Sequence, residues 1–157
     1  MDNRQNADHL SPVSIMAGLC QMDVRLGDVS HNTEAGLQAM ERACRKGAEL
    51  VVLPELWSCG FDGIHIAGHA EKTPDILSAT GDVARRHGAV IIGSLPERRG
   101  DRTYNTMFMV GKDGTVFAAY RKIHMFPLLE ESRWFSPGRT QVVTEAAGAR
   151  IGGRICY

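Results

Sequence analysis

No apolar run in this sequence approaches the roughly 20 residues of a membrane-spanning helix. The opening stretch MDNRQNADHLSP also lacks the apolar segment of a secretory signal. An excess of one charge sign is missing too: 18 Lys and Arg face 18 Asp and Glu, for a formal net charge of zero. That excludes the basic footprint of a nucleic-acid binder and a cationic stretch for a lipid surface. Disulfide-type spacing is absent. Cys20, Cys44, Cys59 and Cys156 are scattered without a C-x-x-C pair, in a chain long enough to hold a core without cross-links, so reduced thiols are expected. There is no internal repeat, low-complexity tract or linker. These absences point to a cytoplasmic protein whose partners are small molecules, with neither nucleic acid nor membrane among them.

What is present is material for one core. The 157 residues are 43% hydrophobic and 23% charged, an ordinary globular balance. Residues 1–12 read as a polar, flexible arm and 13–157 as one α/β domain. VSIMAGLCQM alternates and reads as a first strand. A helix follows, with Asp28 as N-cap, Val29, Thr33, Leu37, Met40, Ala43 and Cys44 on one face, and Gly47 as its stop. The short apolar run in ELVVLPE, Leu50 to Leu53, has the pattern of a strand buried on both faces. A second helix starts at Thr73 with Pro74 in its first turn and stops at Gly88; AVIIGSLPE is the third strand. TYNTMFMVGKDGTVFAAYRK then reads as two strands around Asp113-Gly114, and RTQVVTEAAGARIGGRIC as a hairpin turning at Ala147-Gly148 whose last strand ends on Cys156. Between them, Ile123 to Gly138 form a loop of the length that usually carries function.

Ligands of open α/β sheets bind beyond the carboxyl ends of the strands. Glu55 follows the second strand, Lys122 closes TVFAAYRK, and Cys156 closes the last strand. A carboxylate can take a thiol proton, the thiolate can attack a carbonyl or nitrile carbon, and an ammonium can hold the negative charge that develops. Position alone does not make them meet. A Glu after a strand is usually solvated, a Lys ending a hairpin is usually surface, and a strand Cys is usually core filler. Cys59 is a rival nucleophile, and with Cys156 a candidate redox pair. His65 and His69 in HIAGH have zinc-helix spacing, but Ile66 stands where the catalytic glutamate of H-E-x-x-H belongs, so no metal or other cofactor is expected. His124 lies near Lys122 and suits packing at least as well as proton transfer. GKDG and GGRIC lack phosphate-loop spacing, and Met107 and Met109 read as core.

Three stretches occur in an order that resembles the nitrilase, or carbon-nitrogen hydrolase, superfamily. They are LVVLPELWSCGF, YNTMFMVGKDGTVFAAYRKIHMFPLLEESRWFSPG and GGRICY, and the resemblance runs from Val13 to Tyr157. It implies Cys156 as nucleophile, Glu55 as general base and later acid, and Lys122 as the cation that stabilises the tetrahedral intermediate. The Tyr157 backbone amide would be a second oxyanion donor. It also implies a second glutamate after the lysine, which orients the substrate and helps to place the lysine. Glu130 and Glu131 compete for that place, and ESRWFSPG matches the family spacing from Glu131 to the loop-closing glycine. A thiol of ordinary pKa, about 8.5, needs such a base or cation to yield thiolate at neutral pH. Glu55 is expected to be desolvated behind Trp57 and Phe61.

The fold implied is half of a four-layer α-β-β-α sandwich, a mixed sheet with helices on one face and the C-terminal part missing. The domain is therefore read as a partial carbon-nitrogen hydrolase domain, a homo-oligomer when complete. YRKIHMF resembles the amidase and carbamoylase branches, which implies a small amide or N-carbamoyl substrate and water. A nitrile substrate is the alternative within the enzyme reading; a catalytically inactive, truncated scaffold is the alternative outside it.

Overall fold

The computed structural model describes residues 14–155. The flexible arm assigned to residues 1–12, the strand position of Val13, and Cys156 and Tyr157 lie outside the described residues.

Local sequence explains where each element starts and stops. β1 is Ala17–Leu19, followed by α1, Val29–Arg45. The Asp28 side chain accepts from the His31 N–H at 3.1 Å and so caps the first turn of α1; Gly47, at φ 90°, turns the chain after its end. β2 is Leu50–Val52, and a short helix α2, Ile66–Ala70, precedes α3, Thr73–His87. Pro74 sits in the first turn of α3, and Gly88 closes it in the left-handed region at φ 62°. β3, Val90–Arg99, β4, Arg102–Val110, and β5, Val116–Arg121, are consecutive antiparallel strands. β6, Val142–Ala146, and β7, Ala149–Gly153, form the last hairpin.

The sheet order is β1-β2-β3-β4-β5, with β1, β2 and β3 parallel and β4 and β5 antiparallel. The parallel pairs require crossovers, and α1 and the α2–α3 segment supply them. Strand alternation then divides the core. Val51, Leu53, Ile91, Leu95, Phe108 and Val110 point to the helical layer, against Met40, Cys44, Ile76, Val83 and Ala84. Val90, Ile92 and Met109 point the other way and are covered by Val142, Ala146 and Ile151 of the β6–β7 hairpin. Helices therefore occupy one face of a mixed sheet, and the hairpin is a separate two-stranded sheet laid on the other.

Several boundaries differ from the expectations. The first strand is three residues, not the whole of VSIMAGLCQM, and its burial pattern leaves Leu19 largely in solvent. The last strand ends at Gly153 rather than at the cysteine. Leu50 and Val52 are half-buried while Val51 and Leu53 are buried; the β6–β7 layer packs on Leu50 only in part, so the strand is not covered equally on both faces. The buried face of α1 includes Asn32 and Gly36, which apolar spacing does not select. The Asn32 amide bonds the Arg25 and Ser58 carbonyls, and Gly36 leaves room for the Trp57 ring, since a Cβ there would lie 2.5 Å from it.

Candidate active site

Three side chains converge beyond the ends of β2 and β5: Glu55 from the loop after β2, and Lys122 and Glu131 from the end of β5 and the loop that follows it. Leu53 N–H still bonds the Ile92 carbonyl, at 2.8 Å, and the chain then leaves the sheet at Pro54. The next bend is tight. Leu56 has a left-handed φ of 46° and is fully buried, a conformation that a non-glycine residue holds only under constraint. Two constraints are visible: Leu56 N–H donates to Ser94 Oγ at 2.8 Å, and its side chain packs with Cys59, Ile66 and Phe135. The bend aims Glu55 along the sheet edge toward Lys122.

Lys122 extends the β5 ladder by one residue, its N–H donating to the Asn105 carbonyl at 2.9 Å. Its side chain is 1% exposed, and its Nζ donates to Glu55 Oε1 at 2.8 Å and to Glu131 Oε1 at 2.7 Å. The Phe61 ring lies over the ammonium, with Nζ 5.7 Å from its centroid. Burial pulls the Lys122 pKa down, but the bonds and charges of Glu131 and Glu55 outweigh it and the net shift is upward. The group is a fixed cation at neutral pH. An ammonium has three donors, and the two carboxylates take two of them.

Of the two adjacent glutamates, Glu131 meets the lysine. Glu130 adopts a left-handed φ of 49°, is exposed and pairs with Arg133. That bend turns Glu131 inward, where its side chain is 1% exposed and its Oε2 accepts from Phe126 N–H at 2.8 Å. Gly138 closes the loop by donating its N–H to the Lys122 carbonyl at 2.8 Å. No larger residue fits there, because a Cβ would strike the Arg121 carbonyl oxygen. Glu55 is less enclosed than expected. Its side chain remains 23% exposed, because Trp57 is locked between Gly36 of α1 and Gly93 of β3, and Phe61 covers Lys122.

A cavity of about 180 Å³ opens beside Glu55, lined also by Pro54, Ser94, Met107, Arg154 and Ile155. A larger hollow, about 630 Å³, is lined by Arg102, Tyr104, Arg121 and Arg139 and contains neither Glu55 nor Lys122. The described cysteines are poorly suited to attack. Cys59 is fully buried, and burial pushes its thiol up to about 11; burial raises Cys20 and Cys44 as well. His65 and His69 both contact Asp62 Oδ2, at 3.0 and 2.8 Å, and these bonds, with His69 first, hold Asp62 below its ordinary value. His124 is exposed.

Sequence reasoning passed over two residues. Asn105 Nδ2 donates to Glu55 Oε1 at 2.7 Å, and Ser94 holds the Leu56 bend. Asn105 lies within a quoted motif, and its inward register on β4 was the available signal; nothing in the wording around Ser94 singles it out.

Comparison with known proteins places the chain in a family. The family model described as carbon-nitrogen hydrolase matches residues 16–157. The chloroplastic omega-amidase of Arabidopsis thaliana is 37% identical over 157 residues, covering 89% of this chain and 42% of the relative. The 2-oxoglutaramate amidase of Bacillus subtilis is 33% identical over 141 residues, covering 87% of this chain and 53% of the relative. Among solved structures, a mutant of the Nesterenkonia sp. AN1 amidase, carrying the Michael adduct of acrylamide at its active-site cysteine, superposes with a TM-score of 0.82 at 27% identity. That match covers 92% of this chain and 58% of the amidase. The chain thus spans about half the length of the relatives it matches. With the mixed sheet, the carboxylate-flanked lysine and a family match across nearly all of its residues, this chain belongs to the carbon-nitrogen hydrolase family.

Proposed function

We propose that the protein is an amidase-type hydrolase that cleaves a small, non-peptide amide or N-carbamoyl compound through a thioester on Cys156. The observation that carries this is the Lys122 ammonium, buried between two carboxylates at 2.8 and 2.7 Å at the strand ends. The two carboxylates compensate the desolvated cation, and its third N–H can serve a charge that develops during reaction. Two further facts support Cys156 as nucleophile: Ile155, its neighbour, lines the cavity beside Glu55, and the described thiols are all raised by burial.

In this mechanism Glu55 takes the Cys156 thiol proton, and the thiolate adds to the amide carbonyl carbon. The third Lys122 N–H and the Tyr157 backbone amide hold the oxyanion. Collapse breaks the carbon-nitrogen bond, and the proton on Glu55 passes to the departing nitrogen, which leaves as ammonia or an amine. Water, deprotonated by Glu55, then attacks the thioester; the acid leaves and the proton returns to the thiol. Glu131 touches no reacting atom in this scheme; it fixes Lys122. The names of the Arabidopsis and Bacillus relatives favour an ω-amide such as 2-oxoglutaramate as substrate. No described helix is long and apolar enough to cross a membrane. Cytoplasmic location and a homo-oligomeric state remain parts of this proposal, although one relative is named chloroplastic.

The test is turnover by the natural gene product of an amide panel that includes 2-oxoglutaramate, against a nitrile panel. Amide turnover is expected, and turnover of nitriles alone would overturn the amide assignment. Acrylamide labelling should map to Cys156 and disappear in Cys156→Ala; labelling that persists there would move the nucleophile elsewhere.

A further inference from the structure

Asn105 sits on β4 in register with Pro96 and is 1% exposed. Its side chain makes one hydrogen bond, from Nδ2 to Glu55 Oε1 at 2.7 Å, and its Oδ1 is buried with no partner among the described residues. A buried amide kept only for packing satisfies both ends, because an orphaned acceptor costs about 1–3 kcal/mol. Turning the amide over would press Oδ1 against a carboxylate oxygen. Glu55 is therefore what sets the orientation of this amide.

The Glu55 carboxylate is held asymmetrically. Lys122 Nζ and Asn105 Nδ2 both end on Oε1, and no described side chain donates to Oε2. An oxygen accepting two donors, one of them charged, is the poorer base. The main chain of the same residue ties the lysine's backbone, since the Asn105 carbonyl accepts the Lys122 backbone N–H at 2.9 Å. One β4 residue therefore fixes both the carboxylate, through its side chain, and the lysine, through its backbone.

We propose that Asn105 is the positioning residue of the base: it occupies Oε1 so that Oε2 takes the thiol proton and returns it to the leaving nitrogen. This rests on the reading of Glu55 as the base. Asn105 does not line the cavity beside Glu55, so its loss should act on turnover more than on binding.

The experiment compares Asn105→Ala, Asn105→Asp and Glu55→Gln in the natural gene product, with kcat expressed per cysteine titrated by acrylamide. Asn105→Ala should lower kcat about 10- to 100-fold with KM within about threefold, the loss typical of a misplaced reacting group. Asn105→Asp keeps the shape but replaces the donor with an acceptor beside Glu55, so it should be as slow as the alanine variant or slower. A scaffold role predicts the reverse order, with the isosteric Asp milder than Ala. Unchanged kcat in Asn105→Ala, or an Asp variant faster than Ala, would overturn the proposal. Insolubility of both variants would also overturn it. Wild-type kcat in Glu55→Gln would instead remove the base assignment itself, whatever Asn105 does.

Discussion

Lys122 is the residue on which the site turns. Its ammonium lost its water on folding and regained two carboxylates and an aromatic face. Removing one partner leaves a buried cation half-compensated, which costs far more than an exposed pair is worth. Glu131→Ala should therefore destabilise the fold by about 3–5 kcal/mol in urea unfolding. Glu131→Gln keeps an acceptor for Phe126 N–H and should cost clearly less; equal losses would mean that the charge contributes nothing. The pH sign follows from the raised pKa of Lys122. The stabilisation from its pairing is complete below the ordinary lysine value of 10.5 and is lost only as pH rises through the higher folded value. At this scale the sequence was informative where a motif fixed the spacing, as for Glu131 over Glu130. It named no partner for Asn105 or Ser94, because hydrogen bonds between residues 50 and 38 apart along the chain leave no local pattern.

Elements hold these residues in place through ties that cross strands. Glu97 on β3 accepts from Thr106 Oγ1 of β4 at 2.8 Å and from Arg121 of β5 in two bonds of 2.7 Å, so three strands share one carboxylate. Burial pushes Glu97 up, but the Arg121 and Thr106 bonds and the Arg121 charge overcome it, leaving the pKa below 4.5. That stabilisation is full above pH 4.5 and fades as pH falls through the folded value. Glu97→Gln should lose about 1–3 kcal/mol at pH 7 and lose less than wild type between pH 5 and pH 3. Parallel acid profiles in chemical denaturation would contradict this. The helices and the hairpins were legible because capping residues, left-handed glycines and alternation are local physics. The true length of β1 and the inward roles of Asn32 and Gly36 were not, because they depend on what packs against them.

Across the whole molecule, the sheet has helices on one face and the β6–β7 hairpin on the other. Met109 is where the second interface closes: it is fully buried, packs beside Val142 and Ile151, and leaves no room for a Cβ on Gly153, which would lie 2.8 Å from its Cε. Met109→Ala should cost about 2–4 kcal/mol by the transfer and cavity terms. The loss is read as a lower midpoint in denaturant, and a change under 1 kcal/mol would show that the hairpin collapses into the space. The same layering accounts for the site. β2 and β5 lie on opposite sides of β3 and β4 but run in the same direction, so their carboxyl ends, and with them Glu55 and Lys122, fall at one edge of the sheet.

By itself the sequence determined the family and the order of strands and helices, because periodicity, turn chemistry and motif wording are all local. Only the tertiary structure decided that Lys122 is shared by Glu55 and Glu131, that Cys59 is shut away, and that Asn105 holds the same carboxylate oxygen as the lysine. Those outcomes are set by burial and by contacts between residues distant along the chain, which depend on packing geometry that a one-dimensional pattern does not contain.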